Sequence, residues 1–230
     1  MKLILFLDRI PNLVKAEIDH GNYPDLALKI VSIIRSWFLL SNDMRHSNEI
    51  RIFCSDQFRE EPIGLMIEII GKHLRYLNPD ERETLLLLQK MTNIIYGTTR
   101  KKRYKRAVKH FQHGLKTQST PGIKFTRCKH KKMLEEVQLA DRLFFITNIK
   151  DKQLQTISGI RSLVERLKPN DTLFYSINQR NGAGVLKQLE TPITTFYDNK
   201  LNSTLFIWQL LNIIQIFMDH NQAKKNENPA

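Results

Sequence analysis

The chain has 230 residues, enough for one α/β domain with its own core, and its 41% hydrophobic and 26% charged residues exclude a disordered protein. Two cysteines, Cys54 and Cys128, are too few for a disulfide framework and make no zinc pattern, so a reducing compartment is expected. The net charge of +13 is carried by one stretch: from Thr84 to Leu134 there are 14 Lys or Arg and no Asp or Glu, and the rest of the chain holds 22 basic against 23 acidic residues.

In chain order, Leu3 to Leu7 reads as a buried first strand, its apolar run too short for a signal peptide, so the protein is expected in the cytoplasm. Pro24 or Asp25 then opens a helix, LALKIVSIIRSWFLL, ending near Ser41. It is apolar nearly all round and must be buried on more than one side, with Trp37 in the core. Ile50 to Cys54 and Leu65 to Ile70 are the next strands, rich in β-branched residues. Asn78-Pro79 makes a turn, and Pro79 or Asp80, with Glu81 and Glu83 behind it, starts a helix in the sense its dipole favours. Leu85 to Leu88, Met91, Ile94 and Ile95 give that helix an apolar face.

The basic segment follows, over 97–132. Its densest part is Arg100, Lys101, Lys102, Arg103, Lys105 and Arg106, continued by Lys109, His110 and His113; a second group is Lys124, Arg127, Lys129, Lys131 and Lys132. Concentrating one sign of charge costs self-repulsion and calls for an anionic partner. Nucleic acid fits best, because each neutralised phosphate releases counterions. Tyr104 and Phe111 lie within the run and can stack on exposed bases. A solvated loop, a localisation signal and a membrane surface are the plainer alternatives.

Ser119-Thr120-Pro121-Gly122 divides the two basic groups with a turn. Beyond it come a brief extended piece at Ile123 to Thr126, a short helix over Lys131 to Leu139 and a strand at Leu143 to Thr147. A helix around Ile160 to Leu167 then leads to strands at Thr172 to Ile177 and Thr191 to Phe196. The uncharged run Leu201 to Met218 holds Asn202, Gln209, Asn212 and Gln215, too polar for a lipid-exposed span. It reads as a packed helix with Trp208 in its core, at a subunit interface, and residues 221–230 as a disordered tail. Strands alternating with helices predict a single α/β domain over 1–220 with a mostly parallel sheet. There is no GxGxxG, no P-loop and no metal-ligand spacing.

Three segments carry a resemblance: YPDLALKIVSIIRSWFLLSNDMRHSNEIRIF (23–53), HLRYLNPDERETLLLLQKM (73–91) and TPGIKFTR (120–127), in that order. Together they resemble the archaeal tRNA pseudouridine N1-methyltransferases, the TrmY-like branch of the SPOUT superfamily. The resemblance implies a parallel sheet flanked by helices with a C-terminal trefoil knot, and a homodimer with the helix from Leu201 at its interface. It implies that S-adenosylmethionine is bound in the knot and that a pseudouridine in the tRNA T-loop receives the methyl group. The donor then falls to Ser176, Asn178, Tyr197 and Leu201. Here the sequence departs from the family: Ser176 stands at a glycine position, Ile177-Asn178 replaces an Asp-His pair, and Tyr197 lies near a second glycine position. Those departures support another reading, a SPOUT-derived RNA-binding or assembly protein without a methyl donor.

Asp80 and Arg82 are the candidate catalytic residues. A carboxylate can orient or deprotonate a uracil nitrogen, and an arginine can hold phosphate or base. The same pair can equally be a helix cap and a surface ion pair. Asn78 can read a base edge or simply form the turn before Pro79, and Arg45 with His46 can contact the tRNA backbone or be solvated.

Overall fold

The computed structural model describes residues 1–39, 43–55, 63–99, 101–147, 155–158, 160–178, 189, 193–197 and 204–227. Among them, nine strands form one sheet: β1 (Lys2–Leu7), β2 (Glu49–Cys54), β3 (Ile63–Ile70), β4 (Thr117–Thr120), β5 (Ile123–Lys129), β6 (Leu143–Thr147), β7 (Gln155–Ser158), β8 (Thr172–Ser176) and β9 (Ile193–Tyr197). Their order is β4-β5-β3-β2-β1-β8-β6-β9-β7. The helices are α1 (Lys15–Asp19), α2 (Asp25–Phe38), α3 (Glu81–Ile95), α4 (Lys102–Gln112), α5 (His130–Gln138), α6 (Ile160–Arg166) and α7 (Thr204–Glu227).

The sheet is mixed. From β2 to β7 every pairing is parallel, but β3, β5 and β4 join antiparallel. Connection length explains the difference. The 55–62 link is shorter than the dozen or so residues of a parallel crossover, and Pro121-Gly122 leaves room only for a hairpin. At the far end, β8 lies between β1 and β6, and β9 lies between β6 and β7. Most of the links that join these strands, where the trefoil knot is expected, fall outside the described residues.

β1 is buried on both faces, as its unbroken apolar run predicts. Leu3, Leu5 and Leu7 join Ile50, Ile52 and Ile67 on the face covered by α2, α3 and α7. α2 lies inside this layer, and Trp37 donates its indole N–H to the Glu49 carbonyl at 3.1 Å. Trp208, expected in the core, is half-buried. Ile4, Phe6, Phe53, Met66, Phe145 and Phe174 face the other way, where α5 supplies Met133 and Val137. α7 continues past Met218 to Glu227, through much of the 221–230 segment expected to be disordered; Gln222, Ala223, Lys224 and Lys225 are good helix formers that extend an existing helix at little cost. No helix among the described residues is long and apolar enough to cross a membrane.

The registers Leu7↔Cys54, Phe6↔Ser176 and Thr147↔Tyr197 bring the C-terminal ends of the parallel strands to one edge. β5 runs in the same sense as β2 and ends there too, with Lys129 opposite Ile63. Such an edge is where open α/β sheets bind ligands.

Candidate nucleic-acid interface

The densest basic run is a helix. In α4 the side chains of Tyr104, Val108 and Phe111, spaced i, i+4 and i+7, turn toward the protein, and Lys101, Lys102, Lys105, Arg106 and Lys109 are exposed on the other side. Phe111 is fully buried, with its ring edge-on to Phe125 at 5.2 Å, so it is a core residue and not a base-stacking one. Tyr104 is half-buried against the same core. Elsewhere the fold pairs its cations: Arg51 with Glu49 and Glu136, Lys116 with Glu68, Arg82 with Asp19. Among the described residues no carboxylate pairs with the exposed cations of α4, which follows from the acid-free sequence around them. Arg100 lies outside the described residues, as does the side chain of Arg103.

The second basic group joins the first through β5. The Arg127 guanidinium sits 5.7 Å from the centre of the Phe111 ring, and Lys129, Lys131 and Lys132, further along the chain, are exposed. α4 covers one face of the sheet and α5 the other, so the two groups wrap one end of it. α5 begins at the edge defined above, and α4 follows the end of α3 that lies beside it. Tyr96, at the end of α3, donates its hydroxyl to the Ile10 carbonyl at 2.5 Å just beyond β1, and α4 starts a few residues later. α5 starts directly from the end of β5.

Both helix starts are built against their own stability. Neither Lys101 nor Lys129, at the N-cap positions, offers a side-chain acceptor, and neither first turn contains an acid. Free N–H groups and the positive end of the dipole face lysines, each unfavourable by roughly 0.3–1 kcal/mol. α3 shows the ordinary arrangement: Asp80 accepts from the Glu83 N–H at 2.8 Å, with Glu81 and Glu83 in the first turn. Helix starts of this kind favour an anionic occupant.

The residues of the NPDER segment are engaged locally. Asp80 is the cap just described, and Asn78 Oδ1 accepts from the Asp80 N–H at 2.7 Å. Arg82 donates to Asp19 Oδ1 from Nη2 at 2.5 Å and from Nε at 3.0 Å, tying α3 to α1. Hydrogen bonds from Lys15 and Arg82 hold the Asp19 carboxyl below the usual range, and Asp19 raises the Arg82 pKa in turn. Asp80→Ala is expected to cost about 1 kcal/mol and to lower Tm by about 2–4 °C. A melting curve beside an RNA-modification assay checks this: lost activity at unchanged Tm marks a catalytic carboxylate instead.

The two motif segments of the resemblance pack on each other. Gly122, at φ +85°, lies so close to the backbone of Leu74 that a Cβ there would meet the Leu74 nitrogen at 2.5 Å. The Gly122 carbonyl accepts from Ile70 N–H at 2.9 Å, and Pro121 from Arg75 N–H at 3.4 Å. Beside this clasp, Tyr76 is 71% exposed and held at φ +68°, a conformation costing roughly 1–2 kcal/mol in a residue with a Cβ. The sequence reading missed Tyr76; an aromatic residue ahead of Asn-Pro in a polar loop was the available signal.

Arg45 is committed to the interior, 8% exposed. Its guanidinium donates to the Leu39 carbonyl at 2.6 Å, to the Ser36 carbonyl at 3.4 Å and to Asp219 at 3.0 Å, closing the end of α2 and holding α7. Its donors are spent on the fold.

The four residues assigned to the donor lie at, or lead from, the strand edge. Ser176 is fully buried and donates from Oγ to the Asn178 carbonyl at 2.5 Å; Asn178 donates from Nδ2 to Asp8 at 3.3 Å. Tyr197 ends β9 beside Thr147, its side chain not described, and Leu201 lies outside the described residues. Asp80 and Arg82 are not brought to these residues: β3 leaves the opposite edge, where Ile70 pairs with Glu49 and the Gly71 N–H donates to the Asn48 carbonyl. Of the four residues assigned to S-adenosylmethionine, Ser176 and Asn178 are thus engaged with one another and with Asp8 just beyond β1. No cluster of three metal-ligating side chains occurs among the described residues.

The fold is that of an α/β protein with a mixed, mostly parallel sheet flanked by helices. Compared with protein-family models and with curated proteins, the sequence matches none.

Proposed function

We propose that this chain binds structured RNA, a tRNA on the strength of the resemblance, along the basic end of its sheet. The observation that carries the reading is that α4 and α5, on the two basic segments, both start uncapped and fronted by lysines. A solvated charged surface has no reason to place cations on both dipoles. Two readings of what happens to the bound RNA follow. The resemblance supports methyl transfer from S-adenosylmethionine to pseudouridine. The closed Ser176–Asn178 segment favours the other, an RNA-binding or assembly protein on a SPOUT-like framework, knot included, without a donor.

Titration calorimetry with S-adenosylmethionine separates them. The non-methylating reading expects no saturable heat at millimolar donor; binding at about 1 μM, roughly −8 kcal/mol, restores the methyltransferase.

The homodimer implied by the resemblance has support in α7. Leu210, Leu211, Ile214 and Met218 are buried, whereas Ile216 is 61% and Phe217 43% exposed. Phe217→Asp is expected to give a monomer in sedimentation analysis with an unchanged circular dichroism spectrum, if this apolar patch is the seam.

A further inference from the structure

The chain between β3 and α3 is pinned on both sides of one exposed aromatic residue. Gly71 lies so close to the 45–48 backbone that a Cβ there would meet the Arg45 carbonyl oxygen at 2.7 Å. Leu74 is buried against the Gly122 turn, Leu77 packs half-buried on the main core, and Asn78 with Asp80 fixes the start of α3. Between these anchors Arg75 and Tyr76 turn outward, and Tyr76 is the most exposed aromatic residue among those described. At its φ of +68° a glycine is unstrained, whereas a tyrosine pays for its Cβ and buries little of its ring in return. Strain kept at an exposed position points to work done by the side chain.

The surroundings of the ring name its partner. Lys72, His73 and Arg75 are exposed beside it in the chain, and His46, also exposed, has Nδ1 3.3 Å from the Gly71 carbonyl. Neither 69–79 nor the 117–127 hairpin that meets it at Gly122 contains an Asp or Glu. An aromatic face among cations holds a base together with its neighbouring phosphates. An acidic peptide would use the cations and leave the strained ring without a purpose. A base inside a duplex is already stacked on both faces, so the guest is an unpaired one.

We propose that Tyr76 is a stacking platform for one unpaired base of the bound RNA, with Lys72 and Arg75 on the flanking phosphates. Gly122 precedes β5 and Lys129 ends it, so the platform and the lysine-fronted start of α5 stand roughly 20 Å apart at the rise of a strand. The RNA is thus gripped by a base at one end of β5 and by its backbone at the other. The inference rests on the RNA-binding reading and adds a base contact that the basic helices do not provide.

Anisotropy titrations of the full chain test it with a single-stranded RNA of about 12 nucleotides and the blunt duplex of the same sequence. Tyr76→Gly is expected to weaken binding of the single strand about tenfold, to leave the duplex unchanged, and to melt at an equal or higher temperature. Tyr76→Phe, which keeps the ring, is expected to bind as the wild type does. Unchanged single-strand affinity in Tyr76→Gly overturns the platform, as does an equal loss for both probes; a lowered Tm makes Tyr76 a residue of the fold instead. Wild-type chain that binds neither probe sinks the RNA reading itself. Tyr76→Trp supplies a direct signal, read against the background of Trp37 and Trp208. Its fluorescence is expected to be quenched saturably by the single strand and not by inorganic polyphosphate, and equal quenching by both overturns the proposal.

Discussion

Reversing Lys101, Lys105 and Arg106 to Glu together is expected to weaken RNA binding by about a hundredfold or more at physiological salt, and to flatten its salt dependence by up to about one unit of slope per lost contact. All three are exposed on α4 at or near its first turn, so the change falls on the surface and not on the Tyr104, Val108 and Phe111 face that packs inward. The sign of the stability change separates this from damage to the fold. Acids near the start of a helix relieve its dipole, and removing like charges relieves repulsion, so the triple variant should melt at an equal or higher temperature. Filter binding across a salt series, beside thermal melts, reads both. Unchanged affinity removes α4 from the interface, and reduced Tm with reduced affinity attributes the loss to unfolding.

Gly122→Ala is expected to be strongly destabilising, costing about 3 kcal/mol or more and lowering Tm by about 6–12 °C. Two effects add. The residue sits at φ +85°, where a Cβ is strained. The added carbon also meets backbone, with the Leu74 nitrogen at 2.5 Å and the His73 carbonyl carbon at 2.7 Å, and backbone cannot swing aside as a side chain can. Gly114→Ala is the control: φ is +74°, with nothing within 4 Å of the added carbon, so it reports the dihedral cost alone, about 1–2 kcal/mol. Equal losses in the two variants, measured by denaturant unfolding, remove the clasp between the TPGI and LRYLNPDER segments.

What could be read from the sequence follows from how each element earns its burial. β1, β2, β3, β6 and β8 are apolar runs that can only be strands in a two-layered core, and α2 and α3 announce themselves by composition and by the Pro-Asp-Glu start. β4, TQST, is a polar edge strand with no alternation to detect, and β7 is similarly weak. α4 is legible in its i, i+4, i+7 apolar spacing, but lysines dominate its composition, and Phe111, expected to stack on bases, is buried in the core. Arg45 illustrates a different limit. An arginine beside a histidine in a polar loop reads as exposed, and only the fold reveals that Asp219, far along the chain, and the end of α2 absorb it. The strand-edge residues Ser176 and Asn178 were placed by resemblance, and their mutual hydrogen bonds are a property of the folded loop that no spacing encodes.

The lysine-fronted helix starts also bear on how the purified protein behaves in a buffer. An occupant that supplies negative charge there binds the native state alone and raises its melting point in proportion to the logarithm of its concentration. Sulfate and heparin should therefore act as stabilisers, and a preparation stripped of nucleic acid and moved into dilute chloride should be the form most prone to precipitate.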